Sequence, residues 1–92
     1  MNDTLKNLYE TVLSRRDSHT EGSYTCYLFE QGLDKILKKC GEEATEMVIA
    51  AKNPDAEELK YEIADLLYHT MVLMVECGLD WNDVMKELVN RR

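Results

Sequence analysis

The sequence predicts an all-α fold: a small antiparallel bundle of four longer helices and one short one, in a single domain over residues 1–92. Three observations carry this. Apolar residues recur three and four positions apart through most of the chain, the spacing that lines one face of a helix. Start and stop signals punctuate those runs, with the only proline at position 54 and glycines at 22, 32 and 78 falling between them. One segment, Tyr24-Thr-Cys-Tyr-Leu-Phe-Glu30, has strand propensity, but no second run exists to pair with it.

The first helix is expected over residues 3–16, where Leu5, Leu8, Tyr9, Val12 and Leu13 share a face and Asn2 or Asp3 can cap the start. It ends on Arg15-Arg16, which suits the negative end of a helix dipole and also offers guanidinium forks for phosphate. Asp17–Ser23 is polar and reads as the one long loop. The aromatic segment after it is expected as a short helix capped by Ser23 and closed by Gly32.

A second long helix is expected over 33–52, with a broad stripe of Leu33, Ile36, Leu37, Cys40, Ala44, Met47, Val48 and Ala51. Gly41 inside it either admits another backbone or marks a bend. Asn53-Pro54 stops that helix, and Asp55-Ala-Glu-Glu58 has the form of a capping box for the next, over about 55–77. Its stripe is Leu59, Ile63, Leu66, Leu67, Thr70, Leu73 and Met74, and after His69 it becomes apolar all round, which suggests a subunit interface. Gly78 ends it, and Asp80-Trp-Asn-Asp83 caps the last helix, with Leu79 and Val84 placed for a hydrophobic staple.

Composition sets the limits. A chain of 92 residues buries only roughly 60–65% of its unfolded surface, so a homodimer or higher homo-oligomer is expected. No apolar run is long enough to span a bilayer, and the N-terminus lacks the basic and apolar regions of a secretory signal. Three cysteines without a Cys-x-x-Cys pair read as buried free thiols in a reducing cytoplasm. A net charge of −7 argues against nucleic acid as a partner, and against a free polyphosphate unless a metal ion inverts the local field.

The chemistry centres on two acid pairs. Glu43 and Glu46 are three residues apart, as are Glu62 and Asp65, so each pair shares a helix face. The segments Glu43-Ala-Thr-Glu-Met-Val and Glu62-Ile-Ala-Asp-Leu-Leu align with a shift of 19 residues, acid on acid. Both pairs bear the same angular relation to their apolar stripes, with Glu43 roughly 80° from the stripe's centre at ~100° per residue. Packed antiparallel, the two helices would bring the pairs face to face. Two readings are open on spacing alone: a divalent-cation site, since four converging carboxylates repel without one, or two solvated acidic edges.

On the first reading Mg²⁺ is the natural ion, with phosphate oxygens completing its shell. Glu42 could accept the proton of an attacking water. Lys35, Lys38 and Lys39 could hold distal phosphates, although a solvated surface is the better account of Lys35 and Lys38. Di-iron bundles use Glu-x-x-His, which occurs nowhere in the chain. His69 reads as an oriented core histidine rather than a ligand.

The pattern Glu-Glu-x-x-Glu followed by Glu-x-x-Asp resembles the signature of the all-α nucleoside triphosphate pyrophosphohydrolases, the MazG-like superfamily. Almost the whole chain resembles the phosphoribosyl-ATP pyrophosphohydrolase family. The residues that carry this are Gly22-Ser-Tyr-Thr25, Leu28-Phe29, Gly32-Leu-Asp-Lys35-Ile-Leu-Lys-Lys39, Gly41-Glu-Glu-Ala-Thr-Glu46 and Tyr61-Glu-Ile-Ala-Asp-Leu-Leu-Tyr-His69. The resemblance implies Mg²⁺-dependent hydrolysis of the α–β phosphoanhydride of phosphoribosyl-ATP, the second step of histidine biosynthesis. It implies Glu43, Glu46, Glu62 and Asp65 as metal ligands. Glu42 takes an open role as base or outer ligand, and Lys39 a phosphate contact. Arg15, Arg16, Ser23 and Tyr24 are further substrate-binding candidates. The zinc motif of the cyclohydrolase fused to this enzyme in some organisms is absent, so a stand-alone form is expected. Cys40 stands where an aliphatic residue is expected. Two rivals remain at this point: a house-cleaning nucleotidase acting on dUTP or dCTP, and a non-catalytic helical oligomerisation module.

Overall fold

The computed structural model describes residues 3–92 as five helices with no strand: α1 (Thr4–Asp17), α2 (Tyr24–Gln31), α3 (Leu33–Ala50), α4 (Ala56–Glu76) and α5 (Trp81–Asn90). The all-α expectation holds, and the aromatic segment is the short helix. Ser23 caps it, its hydroxyl accepting from the backbone N–H of Cys26 at 3.2 Å. Gly32 follows with φ 91°, a left-handed backbone that glycine adopts without penalty, and lets α3 start at once.

Two expected caps differ. Asp3 stands at the start of α1 but makes no side-chain cap bond, because its backbone is not in the extended conformation that aims the carboxylate at the first amides. The alternative cap, Asn2, lies outside the described residues. At α4, Asp55 accepts from Glu57 N–H at 3.0 Å, but Glu58 does not complete the box. Its carboxylate is taken instead by the Asn53 side chain at 2.7 Å, a bond that closes the α3–α4 connection.

α3 and α4 form the most extensive pairing and run antiparallel: the Cys40 thiol donates to the His69 carbonyl near one end, and Asn53 meets Glu58 at the other. α1 packs on the second half of α4, and α2 is wedged among α1, α3 and α4. The core cluster is Val12, Leu28, Ile36, Met71, Val72, Met74 and Val75. The all-round apolar segment of α4 is therefore buried by its own chain, and needs no second subunit to explain it.

The stripes meet differently from the expectation. On α3 the buried positions are Ile36, Glu43 and Ala50, one flank of the predicted stripe, while Leu33, Leu37 and Val48 on the other flank are exposed. On α4, Ile63 and Leu67 are likewise exposed. The two helices pack on their acid-bearing flanks, so Glu43 and Glu62 are turned inward and an apolar flank of each helix is left uncovered. Ala51 lies past the end of α3 and is exposed.

The cysteines are free as expected, but only Cys26 is buried, and Cys77 is exposed. Cys26 ties the loop down: its sulfur accepts from Thr20 N–H at 3.3 Å and donates to the Arg15 carbonyl at 3.4 Å. That fixes the approach to Ser23 and Tyr24.

Gly41 admits no close backbone. A methyl group built on it meets nothing within 4 Å, and the helix runs through it unbroken. Gly41→Ala is therefore expected to stabilise the folded chain by up to about 1 kcal/mol, measurable as a raised urea midpoint with an unchanged slope. A lowered midpoint would show that the position carries a constraint other than helix propensity.

Candidate active site

The antiparallel pairing sets Glu43 on α3 against Glu62 and Asp65 on α4. One carboxylate oxygen from each lies within 4.8 Å of the others. Glu43 is only 6% exposed, although it is charged. The Oε2 atoms of Glu43 and Glu62 are buried with no hydrogen-bond partner. An orphaned buried carboxylate oxygen is costly, and two beside a third acid are costlier still. Oxygens bound to one Mg²⁺ at about 2.1 Å stand no more than about 4.2 Å apart, so three oxygens within 4.8 Å of one another need only a small approach to hold one divalent cation.

The electrostatics agree. Burial pushes the Glu43 carboxyl above its ordinary value, helped by the charge and hydrogen bonding of Glu46 and by the charge of Asp65. A hydrogen bond to Glu46 pushes Glu62 up to about 7, with desolvation and the charges of Glu46, Glu43 and Asp65 adding to it. Without a cation, the cluster keeps a proton to limit its own repulsion.

Glu46 is not one of the close three. It stands at the exposed rim and borders a recess of about 360 Å³ with Ile49, Glu58 and Glu62. The expected set of four is thus one buried acid, Glu43, one half-buried, Glu62, and two exposed, Asp65 beside them and Glu46 at the mouth. Glu58, which the sequence suggested only as a cap, lines that mouth.

Glu42 lies outside the cluster on the exposed side, with its Oε1 3.5 Å from Lys39 Nζ. Desolvation lowers the Lys39 ammonium pKa, but the Tyr24 phenol, Glu42 and Glu43 outweigh it and hold the group above its ordinary value. Lys39 is thus a firmly charged cation at the edge of the acids. Lys38 is exposed and lines a shallow groove with Gly41, Glu42, Thr45 and Glu46. The Lys35 ammonium lies 6.0 Å from the centre of the Tyr27 ring.

Ser23, Tyr24 and Tyr27 border a cleft of about 450 Å³ with His19 and Glu30, which pair at 3.2 Å. The Tyr24 hydroxyl is 3.1 Å from Nε2 of His69, whose Nδ1 is 2.8 Å from the Asp65 carbonyl. His69 is therefore the oriented core histidine that was expected, 5% exposed. Its link to Tyr24, 45 residues away, carries no sequence signal.

The arginines fall elsewhere. Arg16 donates to the Val75 carbonyl at 3.3 Å and pairs with Asp17. With Arg15 it borders a separate cleft beside Glu30 and Glu76. Val75 is ten residues beyond Asp65 on α4, about 15 Å at 1.5 Å per residue. The fold does not bring Arg15 or Arg16 to the acids of their own chain, and tying α1 to α4 accounts for Arg16.

A short all-α chain with inward-turned acids on its two longest helices is the build expected of the all-α pyrophosphohydrolases. Residues 5–92 match the family model described as phosphoribosyl-ATP pyrophosphohydrolase. The chain belongs to that family. It is 59% identical to the phosphoribosyl-ATP pyrophosphatase of Limosilactobacillus fermentum over 87 residues, 95% of this chain and 82% of that one. It is 57% identical to the phosphoribosyl-ATP pyrophosphatase of Clostridium botulinum over 91 residues, 99% of this chain and 83% of the relative. It is also 55% identical to the histidine biosynthesis bifunctional protein HisIE of Caldanaerobacter subterraneus, covering 97% of this chain but 43% of that longer protein. Among the described residues, no helix is long and apolar enough to cross a membrane.

Proposed function

We propose that this chain is a hydrolase that cleaves the α–β phosphoanhydride of phosphoribosyl-ATP to phosphoribosyl-AMP and pyrophosphate, in histidine biosynthesis in the cytoplasm. Residues 1–92 act as one functional unit. The observation that carries the reading is the pair of buried, partnerless Oε2 atoms of Glu43 and Glu62 beside Asp65. Membership of the family and the names of the relatives supply the substrate.

Glu43, Glu62 and Asp65 would hold Mg²⁺, with Glu46 at the mouth of the site as a fourth ligand. The ion would supply charge neutralisation on the phosphates and polarisation of the scissile bond. Lys39 pairs with a phosphate oxygen and helps hold the departing pyrophosphate; Lys35 and Lys38 extend that positive edge. A water oxygen forms a bond to phosphorus, the bridging phosphorus–oxygen bond breaks, and pyrophosphate leaves with the electron pair. Glu42 takes the water's proton. It is suited to this because it lies outside the close acid group and faces solvent. Glu42→Gln is expected to lower kcat by about 10²–10⁴-fold with KM nearly unchanged; an unchanged kcat would move the base elsewhere.

The assay that tests the reading is pyrophosphate release from phosphoribosyl-ATP, with dUTP and dCTP run in parallel and EDTA as the control. Turnover of phosphoribosyl-ATP alone, abolished by EDTA, is expected. Preferred turnover of dUTP or dCTP would replace the reading with a nucleotide-cleansing role.

The working form is a homodimer or higher homo-oligomer, supported by the exposed apolar flanks of α3 and α4: Leu33, Leu37, Val48, Ile63 and Leu67. Sedimentation equilibrium is expected to give at least twice the 10.7 kDa chain mass, and Leu37→Asp to lower it. A monomer at all concentrations would contradict this.

A further inference from the structure

We propose that the cleft bordered by Glu21, Tyr24, Tyr27 and Glu30 binds the adenine of the substrate as a cation, with the two tyrosine rings as its platform and Glu21 as its counter-charge. The inference rests on the proposed substrate and deepens that reading by naming what recognises the base. It begins with the substrate's own chemistry. Phosphoribosyl-ATP carries its second ribose on N1 of the adenine. A ring nitrogen that takes a third carbon commits its lone pair to the new bond. The base is then positively charged, the charge shared among N1, C6 and the exocyclic amino group while that group keeps both protons. Plain adenine, uracil and cytosine are neutral near pH 7.

The cleft has what a cationic base needs. Tyr24 and Tyr27 stand one turn apart on α2, and their rings stack with centroids 6.1 Å apart and planes at 26°. Both rings face solvent, 44% and 41% exposed, at the wall of a cleft of about 450 Å³. Such rings offer a planar base a stacking face, and their π electrons attract a cation. Tyr27 already draws one, the Lys35 ammonium at 6.0 Å from its ring centre. The charged lining is acidic. Glu30 pairs with His19 at 3.2 Å, while Glu21 has no partner among the described residues. A negative lining opposes phosphate and suits a delocalised cation.

Its place in the fold agrees. The Tyr24 hydroxyl is 3.1 Å from Nε2 of His69, whose Nδ1 is 2.8 Å from the Asp65 carbonyl, so one wall of the cleft leans on the acid-bearing part of α4. A substrate whose phosphates meet the acids therefore has its base within reach of the α2 rings. Those rings are held in place beforehand. Tyr24 meets His69 edge-on at 5.8 Å and Tyr68 at 6.2 Å, and a hydrogen bond between the hydroxyls of Thr25 and Tyr68 ties the start of α2 to α4. A platform fixed before binding loses little freedom when the base arrives.

The test compares kcat/KM on phosphoribosyl-ATP and on its 6-oxo counterpart, phosphoribosyl-ITP, which has the same shape but a neutral base. The wild type is expected to favour the cationic substrate by about fivefold or more, mostly in KM. Tyr27→Leu should lose most of that preference, because leucine keeps apolar bulk but has no π face. Tyr27→Phe should retain it, and Glu21→Gln should lower it by a smaller factor. A purely structural Tyr27 would lower activity on both substrates alike, and a hydrogen bond to the amino group would leave the preference intact in Tyr27→Leu. An unchanged ratio in Tyr27→Leu, or a wild type indifferent to the exchange, therefore overturns the inference. If Tyr27→Leu does not fold, the ratio in Glu21→Gln decides in its place. A wild type inactive on phosphoribosyl-ATP overturns the proposed substrate instead, so the two failures are distinguishable.

Discussion

Glu43→Gln and Asp65→Asn are each expected to lower turnover of phosphoribosyl-ATP by at least about a hundredfold, with helix content unchanged. A bound divalent ion supplies several kcal/mol of charge stabilisation, and each 1.36 kcal/mol is about tenfold in rate. Losing one of three close ligands forfeits much of that. Stability should move the other way in the metal-free protein. Glu43 is buried, its Oε2 has no partner, and Glu46 and Asp65 repel its charge. A neutral amide of the same shape relieves that repulsion, so Glu43→Gln in EDTA should melt at or above the wild-type temperature. Added Mg²⁺ should then raise the wild-type Tm and leave the variant's nearly unchanged. Wild-type turnover in both variants would dismantle the cation assignment. A large loss of Tm in EDTA would mean that the acids hold the fold together rather than strain it.

The second large effect is on pH. Glu62 is pushed up to about 7 in the folded chain, from an ordinary value of 4.5. Between those values the folded state binds more protons than the unfolded chain, so stability falls as pH rises. The favourable contribution is complete below about 4.5 and is lost as pH rises through about 7. The metal-free protein should therefore melt higher near pH 5 than near pH 8, with Glu62→Gln flattening the difference. Mg²⁺ competes with that proton, because it needs the deprotonated carboxylate. With the ion present, the dependence should weaken or reverse, and Mg²⁺ affinity should fall as pH drops below about 7. An identical pH dependence for wild type and Glu62→Gln in EDTA would refute the assignment to Glu62.

The pairs Glu43–Glu46 and Glu62–Asp65 were legible in the sequence because i, i+3 spacing is a direct image of helix geometry. Their approach to one another was legible because a five-residue connection at Pro54 leaves α3 and α4 little choice but to pack antiparallel. Four things were not. Periodicity located the apolar stripes but not which flank of each would face the other helix. A stripe that serves two contacts looks the same as one that serves a single contact, so Leu37 and Ile63 read as core and are exposed. The Tyr24–His69 bond joins α2 to α4 across 45 residues, and such pairings leave no local spacing to read. Arg15 and Arg16 were placed with the phosphate-binding candidates on chemistry alone. Where α1 ends relative to the acids is a matter of tertiary geometry, and it ends beside Val75. The capping box at Asp55–Glu58 failed for a local reason: Asn53 offered Glu58 a bond that the N-terminal amide of α4 did not win.

On the proposed reading, Glu43, Glu62 and Asp65 hold a divalent cation. Isothermal titration of Mg²⁺ into the metal-free protein near pH 7, in two buffers of different ionisation enthalpy, measures it most directly. The expected result is saturable binding accompanied by release of part of a proton as Glu62 gives way to the ion, with both lost in a Glu43→Gln, Asp65→Asn double variant. Absence of binding at millimolar Mg²⁺, or equal binding by the double variant, would contradict it.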